Sequence, residues 1–296
     1  DARVPDAHER SRVIKLTAAE YEHTAQSSPD WIRNGFNEAL ARKFFLGCVS
    51  SLQMDSGPGV PYSSFMNWRS NLEWLDSSDK VDAMWELVLS RLRRMLNYEF
   101  STPESAVLDG VTDPVRVFVK GEPHKLSKLA EGRYRLIASV SLVDQLVARM
   151  LFQSQNKTEL SMYQTIPSQP GLGLSQDYQI AEFTSRLAKI SGAPDAGALI
   201  RDWKEFCVPT DCSGFDWSVP LWLLEDDMEV RNLLTKALHP ELRALRDMWL
   251  KCLTNSLFCL SDGTLLAQTT PGIQKSGSYN TSSSNSRMRV LMSKHA

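Results

Sequence analysis

Asp211-Cys212-Ser213-Gly214-Phe215-Asp216 and, further along, Lys275-Ser276-Gly277-Ser278-Tyr279-Asn280-Thr281-Ser282-Ser283-Ser284-Asn285 are the two stretches whose joint reading decides this chain. They spell D-x-x-x-x-D and S-G-x-x-x-T-x-x-x-N. Phe206 to Thr210 reads as a short strand ending at Asp211, and Pro220 stands where a helix can begin, continuing from Leu221 to Leu238. A carboxylate on the end of a rigid strand suits two-metal phosphoryl chemistry, where Mg²⁺ ions sit about 3.5–4 Å apart. Magnesium keeps several waters and uses one or two carboxylates, so Asp211 alone cannot seat a pair of ions. Taken alone, Asp211 reads more readily as a cap for the turn that follows than as a metal ligand.

Asp216 lies past a Ser-Gly turn, facing a nucleotide rather than metals, with Asn285 available to donate to it. An Asp–Asn pair that also bonds a ribose 2′-hydroxyl would reject deoxynucleotides by factors of up to ~10⁴. Standing alone, Asn285 would be a mid-helix polar residue. Thr269-Thr270-Pro271-Gly272 before Ser276-Gly277 predicts a flexible loop feeding a helix N-terminus, with Gly277 permitting close backbone approach to a nucleic-acid chain and a change in φ.

The remainder is an ordinary folded chain of 296 residues, 42% hydrophobic and 23% charged. Its formal charge of -2 means that nucleic-acid contact must rest on local clustering. Cys48, Cys207, Cys212, Cys252 and Cys259 form no C-x-x-C pair, which predicts reduced thiols and no zinc site. No apolar run is long enough to span a bilayer. Asp1-Ala2-Arg3-Val4-Pro5 carries neither an initiator Met nor a signal sequence, as expected of a piece of a longer polyprotein.

Apolar residues recur at helical spacing from Trp31 to Ser51 (Phe36, Leu40, Phe44, Val49) and from Leu72 to Tyr98 (Leu72, Leu75, Trp85, Leu89, Leu92, Leu96). Asp55 to Tyr62 between them is a breaker-rich loop, and Ser168 to Gly173 is another. Val115 to Lys120 and Arg133 to Ala138 read as strands. Ser141 caps a helix with Leu142, Leu146, Val147, Met150 and Leu151 on its apolar face, and Ser261-Asp262-Gly263 centres a hairpin. Helices mixed with a few strands, without βαβ alternation, predict an α+β fold. Lys120-Gly121-Glu122-Pro123-His124-Lys125-Leu126-Ser127-Lys128 and Gly132-Arg133-Tyr134-Arg135 make a basic arm. Alternation puts Arg133 and Arg135 on one side of a strand, suited to phosphate; the plainer meaning is a solvated basic face.

These segments together resemble the RNA-dependent RNA polymerases of positive-strand RNA viruses, closest in wording to those of sobemoviruses and poleroviruses. F-V-K-G-E-P-H-K and G-R-Y-R-L-I resemble motif F, Ser56-Gly57-Pro58-Gly59-Val60-Pro61 motif G, D-C-S-G-F-D-W-S motif A, and P-G-I-Q-K-S-G-S-Y-N-T-S-S-S-N-S motif B. The resemblance implies a right-hand fold: an N-terminal fingers region with the motif G loop (1–110), a fingers arm (111–140), a palm helix and fingers (141–205) and a palm with motifs A and B (206–296). It implies Mg²⁺-dependent, template-directed RNA synthesis, with Mn²⁺ as a substitute ion.

By the same resemblance Asp211 is a metal ligand. Asp216, Ser276, Thr281 and Asn285 are the ribose-sensing set, Gly277 is a loop hinge, and Lys120, Lys128, Arg133 and Arg135 touch triphosphate or template. Ser56, Gly57, Pro58 and Gly59 line the template entrance. RNA template, nascent RNA and nucleoside triphosphates are the implied partners, with a genome-linked viral protein by analogy, in a replication complex of the host cytoplasm. The G-D-D turn of motif C, the later motifs and the thumb have no counterpart here, which predicts a fragment inactive alone. Asp226-Asp227 follows Glu225 inside a helical pattern and does not replace motif C. A reverse transcriptase, a non-catalytic RNA-binding module and a structural polyprotein segment are the competing readings; the Asp216–Asn285 pairing argues against the first, and the ordered motifs against the last.

Overall fold

The computed structural model describes residues 4–65, 68–170 and 172–296. Asp1 to Arg3 and Gly171 of the second Pro/Gly loop lie outside them. Eight long helices carry the fold: α1 (Ala7–Glu20), α2 (Glu38–Val49), α3 (Ser78–Asn97), α4 (Leu142–Ser161), α5 (Asp177–Ser191), α6 (Leu221–Leu233), α7 (Pro240–Thr254) and α8 (Thr281–His295). Strands β1 (Val115–Val119), β2 (Leu136–Ser139), β3 (Leu257–Cys259) and β4 (Leu265–Ala267) form one sheet in the order β2-β1-β3-β4. β1 runs antiparallel to β2 and parallel to β3, and β3–β4 is the predicted hairpin. With a second, two-stranded parallel pair between Gln26–Ser27 and Thr235–Lys236, this mixture of helices and small sheets is the α+β arrangement that the pattern predicts.

Helix α4 is the axis of the core. Ser141 caps it by accepting from the Asp144 backbone N–H, and Leu142, Leu146, Val147, Met150 and Leu151 are all buried. Its burial extends around the helix to Gln153, Gln155, Asn156 and Glu159, because α2, α3 and α7 pack on different sides of it. A helix enclosed this way needs internal partners for its polar side chains, and those partners position the site below.

Several boundaries differ from the sequence expectations. α2 begins only at Glu38, where Asn37 accepts from the Leu40 N–H, and its buried face is Ala41, Phe45, Cys48 and Val49, leaving Leu40 exposed. The stretch from Leu72 to Tyr98 is two helices, Asn71–Leu75 and α3, because Ser77 caps a new start. α6 ends at Leu233.

The predicted strand at 206–210 is absent: Trp203–Phe206 is a helical turn and residues 207–212 are irregular. A strand exists through its ladder partner, and no described segment pairs with this one. Likewise β2 starts at Leu136, so Arg133 and Arg135 do not share a strand face.

Candidate active site

Asp211 is exposed and sits in a segment held at both ends by one helix. Asn285 Nδ2 donates to Asp216 Oδ1 at 2.9 Å, and Arg289, one turn further along α8, donates to Cys212 Sγ at 2.8 Å and to Thr210 Oγ1 at 2.7 Å. Residues four apart lie on one helix face, so a single stripe of α8 fixes both flanks of Asp211. Gly214, at φ 59°, makes the turn between them and opens the short helix Phe215–Ser218. Only glycine takes that conformation at no steric cost.

Asn285 is itself oriented, because its Oδ1 accepts from Gln274 Nε2 at 3.3 Å, and the Gln274 backbone N–H donates to Asp216 O at 2.8 Å. Gln274 closes this set and was not singled out in the sequence. The signal was its place directly before Lys275-Ser276-Gly277.

The opposite face of α8 is locked by buried charge. Arg287 donates to Asp227 Oδ1 at 2.5 Å and to Glu159, and Ser284 Oγ donates to Asp227 Oδ2 at 2.7 Å. Arg231 bonds Asn156 at 2.8 Å and Ser283 at 2.6 Å. Burial opposes the charge on Arg287, but Glu159 and Asp227 outweigh it and raise its pKa. Asp227 thus belongs to the core of α6, while Asp226 pairs with Arg10 of α1 at 2.6 Å. Neither is an exposed catalytic acid.

The loop before α8 is built on the sheet rather than on the Asp–Asn pair. Ser276 Oγ accepts from the Ala138 N–H at 3.1 Å, and the Gly277 N–H donates to Ala138 O at 2.9 Å. A Cβ at Gly277 would stand 2.4 Å from Ala138 O, so the close approach that requires glycine is to β2. Thr281 Oγ1 donates to Lys275 O and Ser278 O, closing the loop. Of the ribose-sensing set, only Asp216 and Asn285 meet. Lys275 is fully buried, and its amine donates to Gln268 Oε1, Gly272 O and Ile273 O. Burial pushes this amine down to about 7.

Loop 276–279 also forms one wall of a cleft of about 800 Å³. Ser56, Gly57 and Gly59 line it, as do Arg116 and Phe118 of β1, Gln145 and Arg149 of α4, and the Ser261–Gly263 tip of the hairpin. Pro58 is buried, its carbonyl accepting from the Leu142 N–H at 2.8 Å. The basic arm lies elsewhere and is internally paired. Lys120 (2.8 Å) and Arg135 (2.5 Å) both meet Glu122, and Arg133 meets Glu131 at 2.5 Å. Lys128 is exposed on the short helix Leu126–Ala130. Arg133 and Arg135 therefore share no ligand face in this conformation, because each chain bends toward its own carboxylate.

Among the described residues no three His, Cys, Asp or Glu side chains gather as a metal site. Asp211 offers one exposed carboxylate, and Asp216 commits one oxygen to Asn285. These residues alone do not fit a pair of Mg²⁺ ions.

The chain belongs to the viral RNA-directed RNA polymerase family, whose sequence pattern matches residues 4–296. Among its relatives, Protein P1-P2 of Pea enation mosaic virus-1 (strain WSG) is 52% identical over 295 residues, covering 100% of this chain and 25% of that protein. Protein P1-P2 of Potato leafroll virus (strain Potato/Scotland/strain 1/1984) is 50% identical over 304 residues, covering 99% of the chain and 28% of that protein. Replicase polyprotein P2AB of Southern cowpea mosaic virus is 42% identical over 247 residues, covering 82% and 24%. The chain spans about a quarter of the length of these relatives.

Proposed function

We propose that this chain is the nucleotide-selecting part of an RNA-directed RNA polymerase that copies a viral genome, with fingers and palm divided as the motif order implies. The Asn285–Asp216 hydrogen bond carries the reading. An amide already oriented by Gln274 and a carboxylate with one oxygen free present a donor–acceptor edge suited to a ribose 2′-hydroxyl. A deoxynucleotide would leave that edge unpaired, which is how a polar site rejects an analogue.

Asp211, between the two grips of α8, is one carboxylate toward Mg²⁺, or Mn²⁺ in its place; further ligands have to join it before a metal pair is held. When bound, such ions would stabilise charge on the transferring phosphate. The cleft is the template path. Template and nascent RNA, nucleoside triphosphates and a genome-linked viral protein are the proposed partners, in a replication complex of the host cytoplasm.

The test is primer extension on a homopolymeric RNA template with Mg²⁺, comparing the parent replicase protein with its Asp211→Ala variant. Extension that depends on Asp211 upholds the reading. Equal RNA binding by both proteins with extension by neither replaces it with a non-catalytic RNA-binding module.

A further inference from the structure

Gly272 and Ile273 both take positive φ, at 127° and 62°. Glycine is required at the first, since a Cβ there would stand 2.9 Å from Val219 O. Ile273 is β-branched, and its side chain makes the same region strained. Two such residues in succession reverse the chain directly before Gln274, and a strained reversal persists only where its surroundings hold it. Its amides are anchored, Gly272 N–H donating to Thr254 O at 3.0 Å and Ile273 N–H to Val219 O at 2.9 Å.

The carbonyls of the same two residues meet one group. Lys275 Nζ donates to Gly272 O at 3.1 Å and to Ile273 O at 3.3 Å, and a third bond, to Gln268 Oε1 at 2.7 Å, ties it to the end of the β3–β4 hairpin. Gln268 is itself fixed, its backbone N–H donating to Ser256 O at 3.0 Å and its Nε2 to Gly272 O at 3.1 Å. An ammonium carries three N–H donors, one for each of the oxygens around Lys275. The side chain is fully buried, and burial acts on its amine with no carboxylate opposing it. Burying an unanswered charge is costly, so an apolar side chain would fill this position more favourably if packing were its only task.

Gln274 depends on the reversal. It bonds both members of the Asp216–Asn285 pair, the first through its backbone N–H and the second through its side-chain amide. Its Oε1 has no partner among the described residues, so a single bond aims the side chain and the backbone has to place the rest.

We infer that Lys275 is a positioning residue for sugar selection: its ammonium pins the Gly272-Ile273 reversal, which sets Gln274 and, through it, the orientation of Asn285. Without the ammonium, Ile273 relaxes toward negative φ, Gln274 leaves its place and the Asn285 amide is free to turn. The inference rests on the reading of Asp216 and Asn285 as the ribose-sensing pair of a polymerase.

The experiment measures kcat/KM for a ribonucleoside triphosphate and for its 2′-deoxy counterpart on one primed RNA template, using the parent replicase protein and its Lys275→Met, Gln268→Leu, Gln274→Leu and Asn285→Ala variants. It is run at about pH 6.5, where the Lys275 amine carries its proton. Met keeps the length of the lysine side chain and removes the ammonium, while Gln268→Leu removes the ammonium's shortest partner. Lys275→Met is expected to lower the ribo-to-deoxy ratio about 3- to 10-fold, the worth of one hydrogen bond, and Gln274→Leu to match it. A purely structural defect lowers both substrates together and leaves the ratio where it was. Thermal melts monitor folding; if Lys275→Met does not fold, Gln268→Leu, at a half-buried position, decides.

An unchanged ratio in the deciding variant would overturn the inference, even if both rates fall. If Asn285→Ala still lowers the ratio in that case, the sugar-sensing pair stands without Lys275; if it does not, the pair fails as well. Absence of Asp211-dependent extension in the parent protein sinks the polymerase reading and the inference with it.

Discussion

Asn285 and Asp216 are separated by 69 residues and joined by one hydrogen bond of 2.9 Å, with Gln274 holding the far side of the Asn285 amide. Because the amide cannot turn without giving up one of these bonds, its donor faces the carboxylate before any nucleotide arrives. In the parent replicase protein, Asn285→Ala should reduce the preference for ribo- over deoxynucleoside triphosphate on the order of 10- to 100-fold, the worth of one or two lost hydrogen bonds. Paired kcat/KM measurements check this, and an unchanged ratio would remove the pair from sugar selection.

Arg287 is expected to be among the most sensitive positions for stability. Its replacement by Met leaves Asp227 and Glu159 buried and short of a partner, which costs about 3–5 kcal/mol for a broken buried pair. Denaturant titration should show the midpoint fall by a corresponding amount. The exposed Arg42–Asp82 pair, at 2.5 Å, offers the contrast; Arg42→Met should scarcely move the midpoint, since exposed pairs contribute little.

Gly277→Ala places a methyl carbon against a backbone oxygen of β2 at 2.4 Å. Neither side is a flexible side-chain end, so loop 276–279 has to move off the strand at a cost of about 1–3 kcal/mol. The variant should melt earlier and expose the Ala138 amide, read as faster hydrogen exchange at that position.

Lys275 makes stability depend on pH in a stated direction. Its folded-state pKa, pushed by burial from 10.5 to about 7, lies below the unfolded value, so between about pH 7 and 10 the unfolded chain binds the extra proton. Stability from this group therefore rises with pH across that window. Lys275→Met should flatten the rise between pH 7 and 8.5, below the range where the buried thiols of Cys48 and Cys252, pushed up to about 12, begin to matter. Melting temperatures of the two proteins over that range give the comparison.

The legible parts of the sequence were those set by local chemistry. Ser141 caps α4, Gly263 turns the hairpin, and the alternation in Val115-Arg116-Val117-Phe118 places β1. The illegible parts depended on partners distant in sequence. A strand at 206–210 needs a neighbour, and the buried face of α2 is chosen by α4 and by Trp85 rather than by its own period. The same division runs through the site. Spacing suggested Asp216 with Asn285, and the two do meet, but it put Arg133 and Arg135 on one strand face, whereas β2 starts only at Leu136.

The backbone from Val208 to Asp211 makes no hydrogen bond to the described residues, and Val208 is 88% exposed. Its position comes from Arg289 and Asn285 instead. Apart from Pro209, which has no N–H to give, its amides and carbonyls are therefore an open edge, able to accept a neighbouring strand on one side without surrendering any existing bond. Asp211 is set in place by a helix ahead of any ladder, so a strand that docks there meets a carboxylate already at its address.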